Sequence, residues 1–399
     1  MLYGDGIHSD YEEIQALLDT HTSVVYLPVP KDCYRIDKTL RIHAGQTLKL
    51  DSETVIKLLP ESNCFMLMND PTDGTHDISV EGGIWDYNNL EQHNPIHDPI
   101  YKESRKNLPS HRDGNPNTIV RYSDNYFGAI MRFRGIKRLN ITGITYKDPI
   151  TYCLQMAETT YFTVENIRFD MNYGNPIPLN MDGVHLDGGC QYGFIHNIQG
   201  TCYDDVVALN ADDGHDGPIS DIVIDGVFAN DALRGVRLLS TKSPVSRISM
   251  SRIYGTYYQN AILIGYFYPF SGIRGKFDHI IIRDEFASQA PRLPIYGKRP
   301  EYQFALMEVC GEVDVSSLQI DCAHRKEECA DIEMLKIEKR AHIGTLSVSH
   351  ASQENLTGKE YPMITIDGHV DKLILNDIST NVGETLVING TVDTVKELV

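Results

Sequence analysis

The sequence predicts an all-β fold of one kind: a parallel β-helix, or strand solenoid, closed by a short N-terminal helix. Three observations carry this. Helix signals almost vanish after residue 22, leaving short β-branched strands separated by Gly, Asn and Asp. The strands recur as units, in which Ile144, Ile167, Ile198, Val227 and Ile253 hold equivalent places at separations of 23, 31, 29 and 26 residues. Self-similarity at this period, built from strands alone, marks a solenoid. The steps are too irregular for an ankyrin-type or leucine-rich repeat, whereas stacked coils absorb such differences as loops. A β-sandwich is the competing architecture, and frequent Asp-Gly pairs would serve its hairpins. Collinear repeats over more than a hundred residues favour the β-helix, in which no coil can bury its inward face alone and neighbours stack into one core.

Taken in order, residues 1–22 form the N-terminal cap. Ser9 stands three places before Glu12, a capping-box pattern, and Ile14, Leu17 and Leu18 fall on one helical face. Coils follow to the end of a single domain, 1–399. Two stretches break the rhythm, 86–118 and 284–303. Both are polar and proline-bearing and read as long loops between coils.

With 36 Lys+Arg against 55 Asp+Glu, the formal net charge is −19. That balance disfavours nucleic acid and anionic membranes as partners. Residues 1–20 lack a basic start and an apolar stretch. The apolar run 261–270 holds Gly265 and Pro269 and is too short to span a bilayer. The expectation is a soluble monomer or small homo-oligomer, cytoplasmic as the chain stands, or secreted or periplasmic if a signal was removed. None of the eight cysteines forms a C-x-x-C pair or a zinc-type spacing, so most are expected as free, buried thiols. No metal and no cofactor is called for.

Two segments carry unusual acids, Asn180-Met181-Asp182-Gly183-Val184-His185-Leu186-Asp187 and Tyr203-Asp204-Asp205-Val206-Val207. Asp182 precedes Asp204 by 22 residues, about one coil. One coil apart means adjacent strands, roughly 4.8 Å apart. Asp182, Asp204 and Asp205 should therefore converge at one end of neighbouring strands. Carboxylates that close repel, which raises at least one pKa and suits a general acid beside a base. Glycoside hydrolysis needs such a pair, and an inverting enzyme separates its two carboxyls by ~6.5–9.5 Å. A calcium site and a ladder of turn aspartates are the competing readings. His185 lies between two aliphatic residues; if they point inward, it points out beside the acids. The tyrosines 257, 258, 266 and 268 are candidate sugar platforms or plain filler. Asp212, Asp213, His215 and Asp216 read as an acidic loop at the rim.

Over residues 75–265 the chain resembles glycoside hydrolase family 28, the polygalacturonase family of right-handed parallel β-helices. The resemblance rests on Gly82-Gly83-Ile84-Trp85-Asp86, on 131–156, on Asn180-Met181-Asp182-Gly183, which is similar to the family's Asn-Thr-Asp-Gly, and on Asp204-Asp205 one coil later. It implies a polysaccharide substrate and inverting hydrolysis, with Asp204 as general acid and Asp182 and Asp205 activating water. Two departures bear on the substrate. Arg234 stands where the family has the histidine of Gly-His-Gly. Residues 260–264 lack the family's Arg-Ile-Lys cations. The substrate-binding candidates are thus Arg234, His185 and Asn180, with the sugar left open between uronate and neutral. Arg234 either grips a substrate carboxylate or sets the ionisation of the acids. The rival functions are a polysaccharide lyase or epimerase on the same scaffold, and a non-catalytic, tailspike-like glycan-binding β-helix.

Overall fold

The computed structural model describes residues 2–94, 128–175, 178, 180–266, 268–291 and 304–398. Its coils form because alternation sends every second side chain inward. In the strand Thr160–Asp170, for example, Phe162, Val164, Ile167 and Phe169 are buried. Among the described residues, twelve strands from Leu40–Ile42 to Leu386–Ile388 stack as one parallel sheet, and seventeen form a second. Each long strand of the second sheet turns a corner within its length at a residue with positive φ, such as Asn166, Asn197, Gly226, Arg252 and Asp284. That residue drops out of the ladder: Glu165 pairs with His196 and Ile167 with Ile198, leaving Asn166 and Asn197 between them. Asn tolerates this left-handed conformation, and the Asn197 side-chain amide donates to Asn166 Oδ1 at 2.7 Å. The corners fold the second sheet into two faces, so each coil has three sides and winds right-handed around one apolar core.

The repeat seen in the sequence is a physical column. Ile144, Ile167, Ile198, Val227 and Ile253 stack in register on successive coils. The next place in the column is Glu285, followed by Ala323 and Ala351. This corrects the loop expected at 284–303, because the strand Gly275–Gln289 runs six residues into it. Its inward positions there are Glu285, Ala287 and Gln289, all buried, and two polar side chains of three conceal the alternation. Residues 292–303 lie outside the described residues. So do 95–118 of the other expected loop; before them, Ile84–Asp86 is a strand and Asn89–Glu91 a single 3-10 turn.

The cap helix is Tyr11–Leu18. It buries Ile14 and Leu18, but Leu17 is 39% exposed, so the apolar face is narrower than expected. There is no capping box. Asp10, not Ser9, occupies the cap position, and its carboxylate accepts instead from the amides of Tyr3, Gly4 and Arg35, stitching the N-terminal segment to the first coil. All eight cysteines are free; Cys153, Cys190 and Cys202 are buried and Cys329 is exposed. No helix among the described residues is long and apolar enough to cross a membrane.

Candidate functional site

Four neighbouring strands of the twelve-stranded sheet build the site: Leu154–Ala157, Val184–Asp187, Asp205–Asn210 and Arg234–Leu239. Val184 and Leu186 point into the core. Parity therefore turns His185 and Asp187 to the opposite face. Gly183 lets the coils close, since a β-carbon there would lie 2.4 Å from the Phe169 ring and 2.5 Å from the Val206 carbonyl. The register Val184↔Val207 sets Asp182 level with Asp205, and Asp205 pairs with Arg234. The sequence had aligned Asp182 with Asp204; the true register is one residue on.

Asp182, Asp204 and Asp205 converge, each offering an oxygen within 4.8 Å of the others. Arg234 Nη1 donates to Asp204 Oδ1 at 2.7 Å and to Asp205 Oδ1 at 2.8 Å. Arg237 Nη1 reaches Asp205 Oδ2 at 3.4 Å. His185 Nδ1 lies 2.5 Å from Asp182 Oδ2, and its Nε2 lies 3.3 Å from Asp187 Oδ1. The Tyr152 ring stacks on the imidazole at 4.0 Å. Asp187 is itself held by Gln155 Nε2 at 2.6 Å and by the Gly214 amide at 2.9 Å.

Access separates these groups. The Asp204 side chain is 19% exposed, while those of Asp182 and Asp205 are at most 4% exposed. Asp204 is the most accessible of the three acids. Burial, then the neighbouring Asp205 charge, push its carboxyl up to about 7, although Arg234 pulls the other way. Burial also raises Asp182, against the hydrogen bond from His185. For His185, burial works to lower the pKa, but the bonds to Asp182 and Asp187 outweigh it and carry it up to about 10. At neutral pH His185 is therefore an imidazolium. Four carboxyl groups, counting Asp187, crowd three basic side chains, and it is burial, then the neighbouring Asp205, that raises Asp204. A divalent cation is one way to relieve crowded acids. Here Arg234 and Arg237 already take both oxygens of Asp205 and one of Asp204.

Asn180, the remaining candidate, sits in a left-handed turn at φ 54, and among the described residues no hydrogen bond joins it to the acids. Tyr257 is a core residue whose hydroxyl donates to the Tyr254 carbonyl at 3.1 Å. Tyr268 hydrogen-bonds Asp213. In the acidic loop, Asp212 Oδ2 accepts from the amides of Thr241, Lys242 and Ser243 at 2.7–2.9 Å, which is a turn anchor rather than a ligand. The sequence reading missed Arg237, Gln155, Tyr152 and the clamp role of Asp187. Outward parity was the available signal: Gln155, His185, Ala208 and Arg237 form one outward column.

No protein-family model matches the sequence, and no curated protein matches it. Solved structures do. The surface adhesin PfbA of Streptococcus pneumoniae aligns with a TM-score of 0.66 at 13% identity, over 96% of this chain and 90% of its own. A family 28 exopolygalacturonase of Yersinia enterocolitica aligns at 0.64 and 12% identity, over 98% and 77%. The A-module of a mannuronan C-5 epimerase of Azotobacter vinelandii aligns at 0.61 and 12% identity, over 100% and 97%. The chain is therefore a right-handed parallel β-helix of the architecture these proteins share. At such identity the likeness carries the fold alone, and it does not distinguish an adhesin from a hydrolase or an epimerase.

Proposed function

We propose that the protein is a glycoside hydrolase acting on a poly- or oligosaccharide of the pectin type or a related one, with Asp204 as the general acid. The observation that carries this is the asymmetry of the acids. One carboxyl, open to solvent, is held near pKa 7, within 4.8 Å of two buried partners. A proton donor needs a pKa near working pH, and its partners need to stay ionised to activate water. Asp204 protonates the departing glycosidic oxygen, and Asp182 and Asp205 hold the attacking water. Arg234, bonded to both Asp204 and Asp205, acts here by restraining the upward shift of Asp204. His185 fixes Asp182 and is in turn fixed by Asp187.

The resemblance to family 28 implies inversion, in which one carboxyl protonates the leaving oxygen and its partner activates water on the opposite face. Nuclear magnetic resonance of the first-formed product reads the anomer directly. The broader test is a panel of oligosaccharides with and without uronic acids, assayed for new reducing ends and for ultraviolet absorbance. Reducing ends without absorbance are expected. Absorbance from a conjugated double bond means β-elimination and sinks the hydrolase reading. Binding without any bond cleavage assigns the protein to the glycan binders.

A further inference from the structure

At the cap, far from the acids, three side chains from three segments meet. His21 follows the cap helix, His43 follows the strand Leu40–Ile42, and Asp73 lies in the turn after the strand Leu67–Asn69. One donor atom from each falls within 4.8 Å of the others. His43 is nine-tenths buried. Its Nε2 hydrogen-bonds Asp19 Oδ1 at 3.0 Å. With that hydrogen on Nε2, the lone pair of Nδ1 faces Asp73 Oδ2 at 3.2 Å, and no hydrogen bond forms across the gap. His21 Nδ1 lies 3.6 Å from the same oxygen. A buried imidazole nitrogen turned toward a carboxylate without a hydrogen bond is an unfinished contact.

The spacing fits a shared third atom better than a direct bond. Zinc bonds of ~2.0–2.2 Å in tetrahedral geometry place ligand atoms roughly 3.3–3.6 Å apart, close to the 3.2 and 3.6 Å found. The Asp19 carboxylate on Nε2 is the outer partner that a metal-bound histidine usually has, and it fixes the tautomer. His21 is also held at φ 54, a backbone conformation a β-carbon disfavours and one the surroundings must enforce. We propose that His21, His43 and Asp73 form a binding site for one divalent transition-metal ion of the zinc type, with solvent completing the coordination. Two imidazoles and a carboxylate suit such an ion. Its role is structural, since it clamps the end of the cap helix to the first two coils.

Sequence spacing gave no hint of this, because the ligands stand 22 and 30 residues apart in separate turns. A second group, His342, His369 and Asp371, has the same donors. There, each Nε2 already hydrogen-bonds Asp371 Oδ1, at 2.8 and 2.9 Å, and all three side chains are 40–49% exposed. That group serves as the internal control.

The experiment uses the whole chain stripped with a chelator, titrated with zinc by calorimetry and with cobalt(II) by visible absorption. One ion per chain, an intense tetrahedral cobalt band and a zinc-dependent rise in Tm are expected. His21→Ala, at an exposed position, abolishes all three, and Asp19→Asn weakens binding roughly 10–100-fold through the outer partner. His369→Ala leaves them unchanged. Absence of binding overturns the proposal, as does binding that survives both His21→Ala and Asp73→Asn, or that disappears in His369→Ala.

Discussion

Two regions of this molecule bury arginines against carboxylates, and they differ in charge balance and in access to solvent. On the outer face of the twelve-stranded sheet, Arg234 and Arg237 meet Asp204 and Asp205. Inside the second sheet, toward the C-terminal half, Arg325 meets Glu327, and both are fully buried. Glu327 is surrounded by donors: Arg325 Nε at 2.7 Å, the Cys329 and Ala330 amides at 2.7 Å each, and the Gln289 amide at 3.1 Å. Arg325 Nη1 also donates to the Ile332 carbonyl at 2.6 Å and to Gln353 at 3.2 Å. This pair is matched in charge and closed to solvent. The outer cluster has surplus negative charge and one acid that reaches water. Burial and pairing occur in both, so neither marks a site by itself; crowding of like charge together with access does.

The comparison breaks first at Asp204. Asp204→Asn is expected to lower kcat/KM by ~10²–10⁴-fold, with Tm unchanged because the side chain is on the face and not in the core. Near-normal turnover would mean the proton comes from another group. At the inner pair the expected effect is on stability. Glu327→Ala strands a buried guanidinium and is expected to cost about 3–5 kcal/mol in urea unfolding, while activity per folded molecule is retained. If it lowers activity instead, the inner network reaches the site and the division drawn above fails.

The smallest effect sharpens the role of Arg234. A general acid works only while protonated, so activity falls as pH rises through its pKa. Arg234 holds the Asp204 pKa down against burial and Asp205. Arg234→Gln removes that restraint, the pKa rises above about 7, and the alkaline limb of the pH profile moves to higher pH. The same variant should affect uronate and neutral substrates alike. Selective loss on uronates, with an unmoved alkaline limb, would make Arg234 a substrate clamp.

The fold was legible because period and alternation are written in the same residues. Ile144 through Ile253 are both the repeat and the core column. The strand at 284–289 escaped because the column passes through Glu285, whose two oxygens are buried without a hydrogen-bond partner and whose pKa burial raises well above the usual range. A polar residue pointing inward looks, in one dimension, like a loop. The acids were legible because two aspartate motifs sit one coil apart. Their register was off by one, since the turns before the two strands differ. Arg237 and Gln155 were hidden because their roles depend on outward parity carried across coils of unequal length. Ser9 does not occupy the cap position; its hydroxyl donates to Asp37 Oδ1 at 2.7 Å and accepts from the Tyr11 amide at 3.3 Å, and the Asp37 contact, 28 residues away, is one that local sequence cannot show.

The outward column of the twelve-stranded sheet runs Arg132, Gln155, His185, Ala208, Arg237, Leu263, Glu308, Lys336 along the axis. Coil spacing turns it into a ruler with one mark about every 4.8 Å. Each mark alternates with inward residues that hold the core, so the chemistry of this face varies from coil to coil while the core column stays apolar. On the function proposed above, a linear polymer lying along the axis would meet one mark per coil, and its recognition would be set coil by coil. In such a molecule, diversification of specificity is a matter of rewriting a tape rather than rebuilding a pocket.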